Sequence, residues 1–285
     1  MSNLSMNETR LKSKTVMLSI AIFLITVSGL SEAVVTHDVD YISEADYKDG
    51  KDRLDIYMPE GAETVPVIVF FHGGALRMGS KADAKVVASR FVPKGIAVVS
   101  VNYRLSPGVM HPAHIEDAAA ATAWVIKNIR QYGGDPDKVY VAGHSAGAYL
   151  AALLVLDPHH LGAHGLQPEA IRAAIPISPF LYVEETAAVR PKDVWGKDPV
   201  NWLAASVTPH IKPGKRPMLL IYADGDADWR KRQNDTFGLA MRGVGNNAID
   251  VVEVPHRDHM TLMSEMNTAD DQIGELLITF IKEQE

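Results

Sequence analysis

The stretch Val139-Tyr140-Val141-Ala142-Gly143-His144-Ser145-Ala146-Gly147 constrains this chain more than any other. Val139 to Ala142 read as a short buried strand. Ala148 to Leu156 carry no charge, proline or glycine and read as a helix. Gly143-His144-Ser145-Ala146-Gly147 joins the two and fits G-x-S-x-G. A strand that becomes a helix within so few residues must turn sharply. Such a turn pushes the serine out of the sheet top, with a helix N-terminus behind it. Glycines on both sides suit a turn that strains the backbone and brings neighbouring elements close. The pattern alone is weak. Its place between a buried strand and an Ala/Leu helix gives it weight.

The remaining chain supplies a sheet for that turn. Val35 to Ser43 and Arg53 to Met58 alternate and are rich in Val, Ile and Tyr, which predicts two antiparallel strands around the Asp49-Gly50 turn. Val65 to Phe71 and Gly95 to Val101 are continuous apolar strands. A helix is expected over Ala82 to Phe91. Another is expected over His114 to Gln131, where Ile115, Ala118, Ala119, Val125, Ile126 and Ile129 share a face. Asp135-Pro136-Asp137 reads as a turn into the Val139 strand. Strands follow at Ile171 to Ile177, Pro217 to Ala223 and Ile249 to Val254, with helices at Arg230 to Arg242 and Thr261 to Lys282. Residues 178–213 hold Pro191, Pro199, Pro209, Trp195 and Trp202 and read as a small lid or insertion. Alternating strands and helices predict an α/β fold with a mostly parallel sheet covered on both faces. Ligands in such sheets bind outside the carboxyl ends of the strands.

Composition removes several chemistries. The chain has 28 Lys and Arg against 35 Asp and Glu, a net charge of −7. That balance argues against a nucleic-acid partner, which calls for a basic surface. With no cysteine, disulfides, thiolate catalysis and cysteine-ligated zinc are excluded. The first residues read as an address. Arg10, Lys12 and Lys14 precede an apolar run from Val16 to Leu30, and Ser31-Glu32-Ala33 puts small residues where a signal peptidase reads. The expectation is a signal peptide over 1–33, a catalytic domain over 34–285, and an exported protein, periplasmic or secreted. The run is short for a spanning helix, which needs about 20 apolar residues. A membrane-tethered form with an uncleaved signal is the alternative.

A serine hydroxyl is a poor nucleophile until a base takes its proton, and the usual base is a histidine oriented by a carboxylate. His256 and His259 follow the last strand in Val254-Pro255-His256-Arg257-Asp258-His259. His259 is favoured because it lies nearest the start of the following helix. The acid should follow the preceding strand, where Asp224, Asp226 and Asp228 compete and spacing alone does not choose. The same tract mimics a calcium loop but puts Trp229 at the required glycine and Asp235 at the required glutamate. His72-Gly73-Gly74-Ala75 offers backbone amides at the end of a strand, and Ala146 offers another at a helix start. These are candidate oxyanion donors. His111 with His114, and His160 with His164, have metal-like spacing but no third ligand nearby in sequence, so no metal is expected. Asp117 is expected to serve a helix dipole or to bond the Asn102–Arg104 segment.

From about Tyr41 onward the chain resembles the α/β-hydrolase superfamily, and most of all the hormone-sensitive-lipase-type carboxylesterases and the related feruloyl/acetyl-xylan esterase-like group. The resemblance rests on His72-Gly73-Gly74-Ala75, Asn102-Tyr103-Arg104-Leu105-Ser106, Glu116-Asp117-Ala118, Gly143-His144-Ser145-Ala146-Gly147 and the acid and histidine segments. It implies Asp226 as the acid, with Asp228 second, and His259 as the base. It departs from the family at Ala75, where a third glycine is usual, and at Leu76, where an aromatic is common. Gly74 is therefore the favoured donor over Ala75, whose Cβ restricts φ.

Together these readings imply a serine carboxylesterase of the α/β-hydrolase fold that needs no cofactor. It would act on small acyl or aryl esters through Ser145, Asp226 and His259, with Gly74, Ala75 and Ala146 at the oxyanion. An amidase, formamidase or peptidase of the same fold would use the same groups on a C–N bond. A non-catalytic binding protein on this fold commonly lacks a triad member, and here all three residue types are present.

Overall fold

Apolar runs that are buried on both faces dictate the architecture. The computed structural model describes residues 33–42, 47–189 and 192–285. Its strands are β1 (Ala33–Asp40), β2 (Arg53–Pro59), β3 (Val65–Phe71), β4 (Ala97–Val101), β5 (Gly134–His144), β6 (Ala173–Ile177), β7 (Met218–Ala223) and β8 (Ile249–Val254). They form one sheet in the order β1-β2-β4-β3-β5-β6-β7-β8. β1 and β2 are antiparallel to their neighbours, as the alternating start of the chain predicts. From β4 through β8 all pairings are parallel.

Period-two alternation divides each central strand between two cores. Val67, Val69 and Phe71 of β3 join Val139 and Val141 of β5 on one face. Ile68 and Phe70 join Tyr140 and Ala142 on the other. The first face is covered by α2 (Ala113–Asn128), α3 (Ala146–Leu156) and α8 (Asp228–Gly243). The second is covered by α1 (Lys85–Phe91) and α10 (Gln272–Glu283). Every residue of α3 is buried, which is why this helix is apolar on all sides. Each such Leu or Val contributes about 1.5–3 kcal/mol by leaving water.

Short helices fill the connections. α4 (Pro158–Gly162) follows α3, while α5 (Val183–Thr186), α6 (Lys192–Trp195) and α7 (Pro199–Ala205) lie in the insertion between β6 and β7. Trp195 is buried against Tyr149 and Phe180, so it is core of the insertion. The Tyr149 hydroxyl donates to the Ala205 carbonyl at 2.6 Å and ties α3 to α7.

Two elements differ from the sequence reading. Asp135-Pro136-Asp137 lies inside β5, in a segment where the register against β3 shifts between Val65 and Val67. The expected turn survives as a local bond, with the Asp137 amide donating to Asp135 Oδ1 at 3.0 Å. The terminal helix is interrupted. One turn, α9 (Thr261–Ser264), is separated from α10 by Asn267 at φ 65° and by Asp271, which caps α10 through the Gly274 amide at 2.7 Å.

The expected signal segment lies outside the described residues, apart from Ala33, the first residue of β1. Among the described residues, no helix is long and apolar enough to cross a membrane.

Candidate active site

The elbow at Ser145 is built by close packing. Ser145 sits at φ 55°, ψ −111°, a conformation that L side chains rarely adopt. It is held by its amide, which donates to the Ile177 carbonyl at 2.8 Å, and by its carbonyl, which accepts from Tyr149 at 3.1 Å. The flanking glycines are needed for a different reason. A Cβ at Gly147 would overlap the carbonyl of Phe71, and one at Gly143 would overlap the backbone of Gly147. The strain therefore falls on the serine, while the glycines allow β3, β5 and α3 to meet.

The loops after β7 and β8 bring two further groups to this serine. His259 Nε2 lies 3.0 Å from Ser145 Oγ, and His259 Nδ1 lies 2.9 Å from Asp226 Oδ1. The neutral ring that fits these partners carries its proton on Nδ1 and accepts from the serine at Nε2. Asp226 is buried. Burial pushes its carboxyl up, but donors from His259, the Ala223 amide at 3.0 Å and the Ser178 hydroxyl at 2.7 Å outweigh it and hold the pKa below its ordinary value.

The competing residues have other work. Asp224 accepts from the amides of His256 at 2.9 Å and Arg257 at 3.1 Å, which fastens the β7 loop to the β8 loop. Asp228 is exposed at the start of α8, and His256 is exposed beside Asp224. Of the three aspartates, only Asp226 is brought within hydrogen-bond distance of either histidine ring among the described residues.

The Gly73–Ala75 loop lies beside the elbow. A Cβ at Gly73 would come within 3.5 Å of Ser145 Cβ. Gly74 has φ 105°, and a Cβ there would overlap the Met78 carbonyl. Ala75 and Leu76 follow at φ 55° and 62°, so the alanine takes the left-handed conformation despite its Cβ. Leu76 is fully buried, and its carbonyl accepts from Ser106 at 2.9 Å. That anchor holds the strained pair in place. Behind the loop, Tyr103 stacks on His72 with ring centroids 4.3 Å apart and donates to the His72 carbonyl at 2.8 Å. Ala146 is the first residue of α3, so its amide is one the helix leaves unpaired.

Sequence reasoning missed three residues. Ser178, at the end of β6, places its hydroxyl 2.8 Å from His259 Nδ1 as well as on Asp226. Arg230 is buried behind Asp226 at 3.5 Å and donates to the Ser178 carbonyl at 2.6 Å. Burial pushes its pKa down to about 10, against the pull of Asp226. His144, the variable position before the serine, bonds the His259 carbonyl. For Ser178 the available signal was its place directly after a parallel strand, at the edge where ligands bind.

Other expectations are placed as follows. Asp117 accepts from the Arg104 amide at 2.8 Å and from its guanidinium at 2.7–3.0 Å, the structural bond expected of it. His114 is buried against Ser106 Oγ at 3.2 Å, and His160 faces Asp157 at 3.3 Å. Among the described residues, no three His, Asp or Glu side chains are arranged to hold a metal ion.

The sheet order, the elbow and the groups gathered over it define an α/β-hydrolase. The chain belongs to that superfamily, and residues 54–187 match the family model described as BD-FAE. It is 33% identical over 214 residues to esterase LipQ of Mycobacterium tuberculosis, an alignment covering 68% of this chain and 50% of that protein. It is 24% identical over 239 residues to the kynurenine formamidase of Salmo salar, covering 81% of this chain and 79% of the relative. It superposes on Thermogutta terrifontis esterase 2 phosphonylated by sarin with a TM-score of 0.73 and 25% identity, over 90% of this chain and 96% of that one. The chain spans about half the length or less of most of the curated relatives it matches.

Proposed function

We propose that this protein is a serine esterase that hydrolyses small acyl or aryl esters through an acyl-enzyme. The observation that carries the reading is the continuous line from Ser145 Oγ to His259 Nε2 at 3.0 Å and from His259 Nδ1 to Asp226 at 2.9 Å. As the serine attacks the ester carbonyl, its proton passes to His259 Nε2. Asp226, kept ionised by its donors, stabilises the imidazolium that forms. The carbonyl oxygen becomes an anion and is met by the amides of Gly74, Ala75 and Ala146, each such donor being worth about 3–4 kcal/mol. His259 then returns the proton to the leaving alcohol. Water, deprotonated by the same ring, releases the acid and restores the serine. The reaction closes on the chain's own groups and water, with no cofactor.

Esterase relatives of the same fold support this choice of bond. The insertion's helices of four, four and seven residues favour small substrates over long lipid chains. The decisive test is labelling by a fluorophosphonate, with a chain-length series of aryl esters. Label on wild type that is lost in Ser145→Ala, and turnover that falls as the acyl chain lengthens, are expected. An unlabelled wild type, or equal label in Ser145→Ala, would refute the mechanism.

A second reading is favoured by the formamidase relative, in which case the same groups would cleave a C–N bond. Anilides and esters of matched acyl group separate the two. Turnover of the anilide with none of the ester would overturn the esterase assignment. The proposal includes export. Cleavage after Ala33 would remove only the first residue of β1, leaving the pairing of Val34 with Met58 intact. N-terminal sequencing is expected to begin at Val34, and an uncleaved N-terminus would instead support tethering.

A further inference from the structure

The base needs more than its ring partners Ser145, Asp226 and Ser178. Its own peptide must be held, because the loop after β8 has no sheet hydrogen bonds of its own. The neighbours of His259 are well fastened. Asp224 takes the amides of His256 and Arg257, and Asp258 takes those of Met260 and Thr261 at 2.8 Å each. The His259 carbonyl is bonded by His144 Nε2 at 2.7 Å, from 115 positions earlier in the chain. A carbonyl only accepts, so Nε2 of His144 carries the proton.

We propose that His144 is a positioning residue: its hydrogen bond to the His259 carbonyl holds the base at the height of the nucleophile. The inference rests on the serine mechanism proposed above. His144 is the last residue of β5 and precedes Ser145 directly, so the strand that presents the nucleophile also grips the backbone of the base. The residue is 8% exposed, and its ring lies 4.6 Å from the His259 ring, centroid to centroid. Its Nδ1 side faces the Gly73 loop, where an added Cβ would lie 3.2 Å away. One side chain thus lies between the elbow, the base and the loop that carries Gly74.

The chemistry of the residue suits the place. His259 becomes cationic when it takes the serine proton, so a second cation beside it would oppose that step. Burial, with the nearby His259 as the second cause, pushes His144 down to about 4. At neutral pH it therefore donates without bringing a charge. The other groups around His259 are Asp226 and Ser178 at Nδ1 and Ser145 at Nε2, with Arg230 behind Asp226.

The test uses the full chain, with His144→Leu and His144→Gln compared against wild type. Glutamine offers an uncharged N–H at similar reach; leucine offers none. The readouts are kcat and KM on p-nitrophenyl acetate, the rate of fluorophosphonate labelling, and the melting temperature. A base displaced by about 1 Å costs about 100-fold, so His144→Leu should lose about that much in kcat and in labelling rate, with KM little changed. His144→Gln should recover to within about tenfold of wild type. A folded His144→Leu within about threefold of wild type, or a folded His144→Gln as slow as the leucine variant, would overturn the role. Should the leucine variant not fold, His144→Met takes its place with the same thresholds. A wild type that takes no label fails at Ser145 itself and removes the mechanism, which is a different result from equal labelling of wild type and His144→Leu.

Discussion

Replacing Asp226 with asparagine should inactivate the protein without unfolding it, for a reason that can be followed atom by atom. Oδ2 of Asp226 accepts from the Ser178 hydroxyl at 2.7 Å and from the Ala223 amide at 3.0 Å, while Oδ1 accepts from His259 Nδ1 at 2.9 Å. Asparagine has one carbonyl oxygen and one NH2 group. The Ala223 amide cannot turn round, so the side-chain oxygen must stay on the Oδ2 side. The NH2 then faces His259 Nδ1, which can meet it only as an acceptor. The ring proton moves to Nε2, and a protonated Nε2 cannot take the proton of Ser145 3.0 Å away. A tautomer swap of this kind costs about 10⁴ in kcat, or about 5.5 kcal/mol. The assay is kcat on p-nitrophenyl acetate, beside thermal melts of Asp224→Asn, Asp226→Asn and Asp228→Asn. Asp224→Asn disturbs only the loop contact to His256 and Arg257 and should lose about tenfold; Asp228→Asn, on an exposed residue, should be near wild type. A folded Asp226→Asn that loses less than about tenfold, or a larger loss at Asp224 or Asp228, would refute the reasoning.

Further outcomes follow from the same geometry. Gly147→Ala puts a Cβ against the Phe71 carbonyl and should cost about 3 kcal/mol, read as a fall of about 10 °C in Tm; an unchanged Tm would contradict the close approach. Arg230→Met removes the donor to the Ser178 carbonyl and the cation beside Asp226, so stability should fall by about 3 kcal/mol in a denaturant titration, and kcat should fall with it. Because the folded pKa of Asp226 is depressed below the ordinary 3.8, its contribution to stability is present above that value and is lost as pH falls through the lower folded value. Melts across the acid range should therefore show a shallower decline for Asp226→Asn than for wild type, and parallel declines would count against the ionised carboxylate.

Local patterns in the chain carried most of the fold. The run from Val65 to Phe71 became β3 at the same bounds, and Ile249 to Val254 became β8. Their hydrophobic continuity is a property of neighbouring residues and can be read from them. The elbow was legible for the same reason, since strand, turn and helix lie within a few residues of Ser145. In the terminal helix a single local interaction outweighed the pattern. Asp271 capping Gly274 starts a new helix, although the apolar spacing from Thr261 onward runs through it. The stretch around Asp135 joined β5, in the segment where the register against β3 shifts.

By itself, then, the sequence determined that a parallel sheet would form, that Ser145 would stand on a turn at its top, and that acids and histidines would follow the later strands. It left Asp224, Asp226 and Asp228 equivalent by spacing, marked Ser178 only by its place after a strand, and gave Arg230 and His144 no distinguishing mark. Tertiary structure decided among them, because the deciding contacts join residues 33, 81 and 115 positions apart. The order of the strands brings the ends of β5, β6, β7 and β8 side by side. Periodicity shows which face a residue takes but not which strand end will lie beside it. That second fact depends on register and packing across the whole sheet, and it is what places one aspartate, one serine and two histidines around a single hydroxyl.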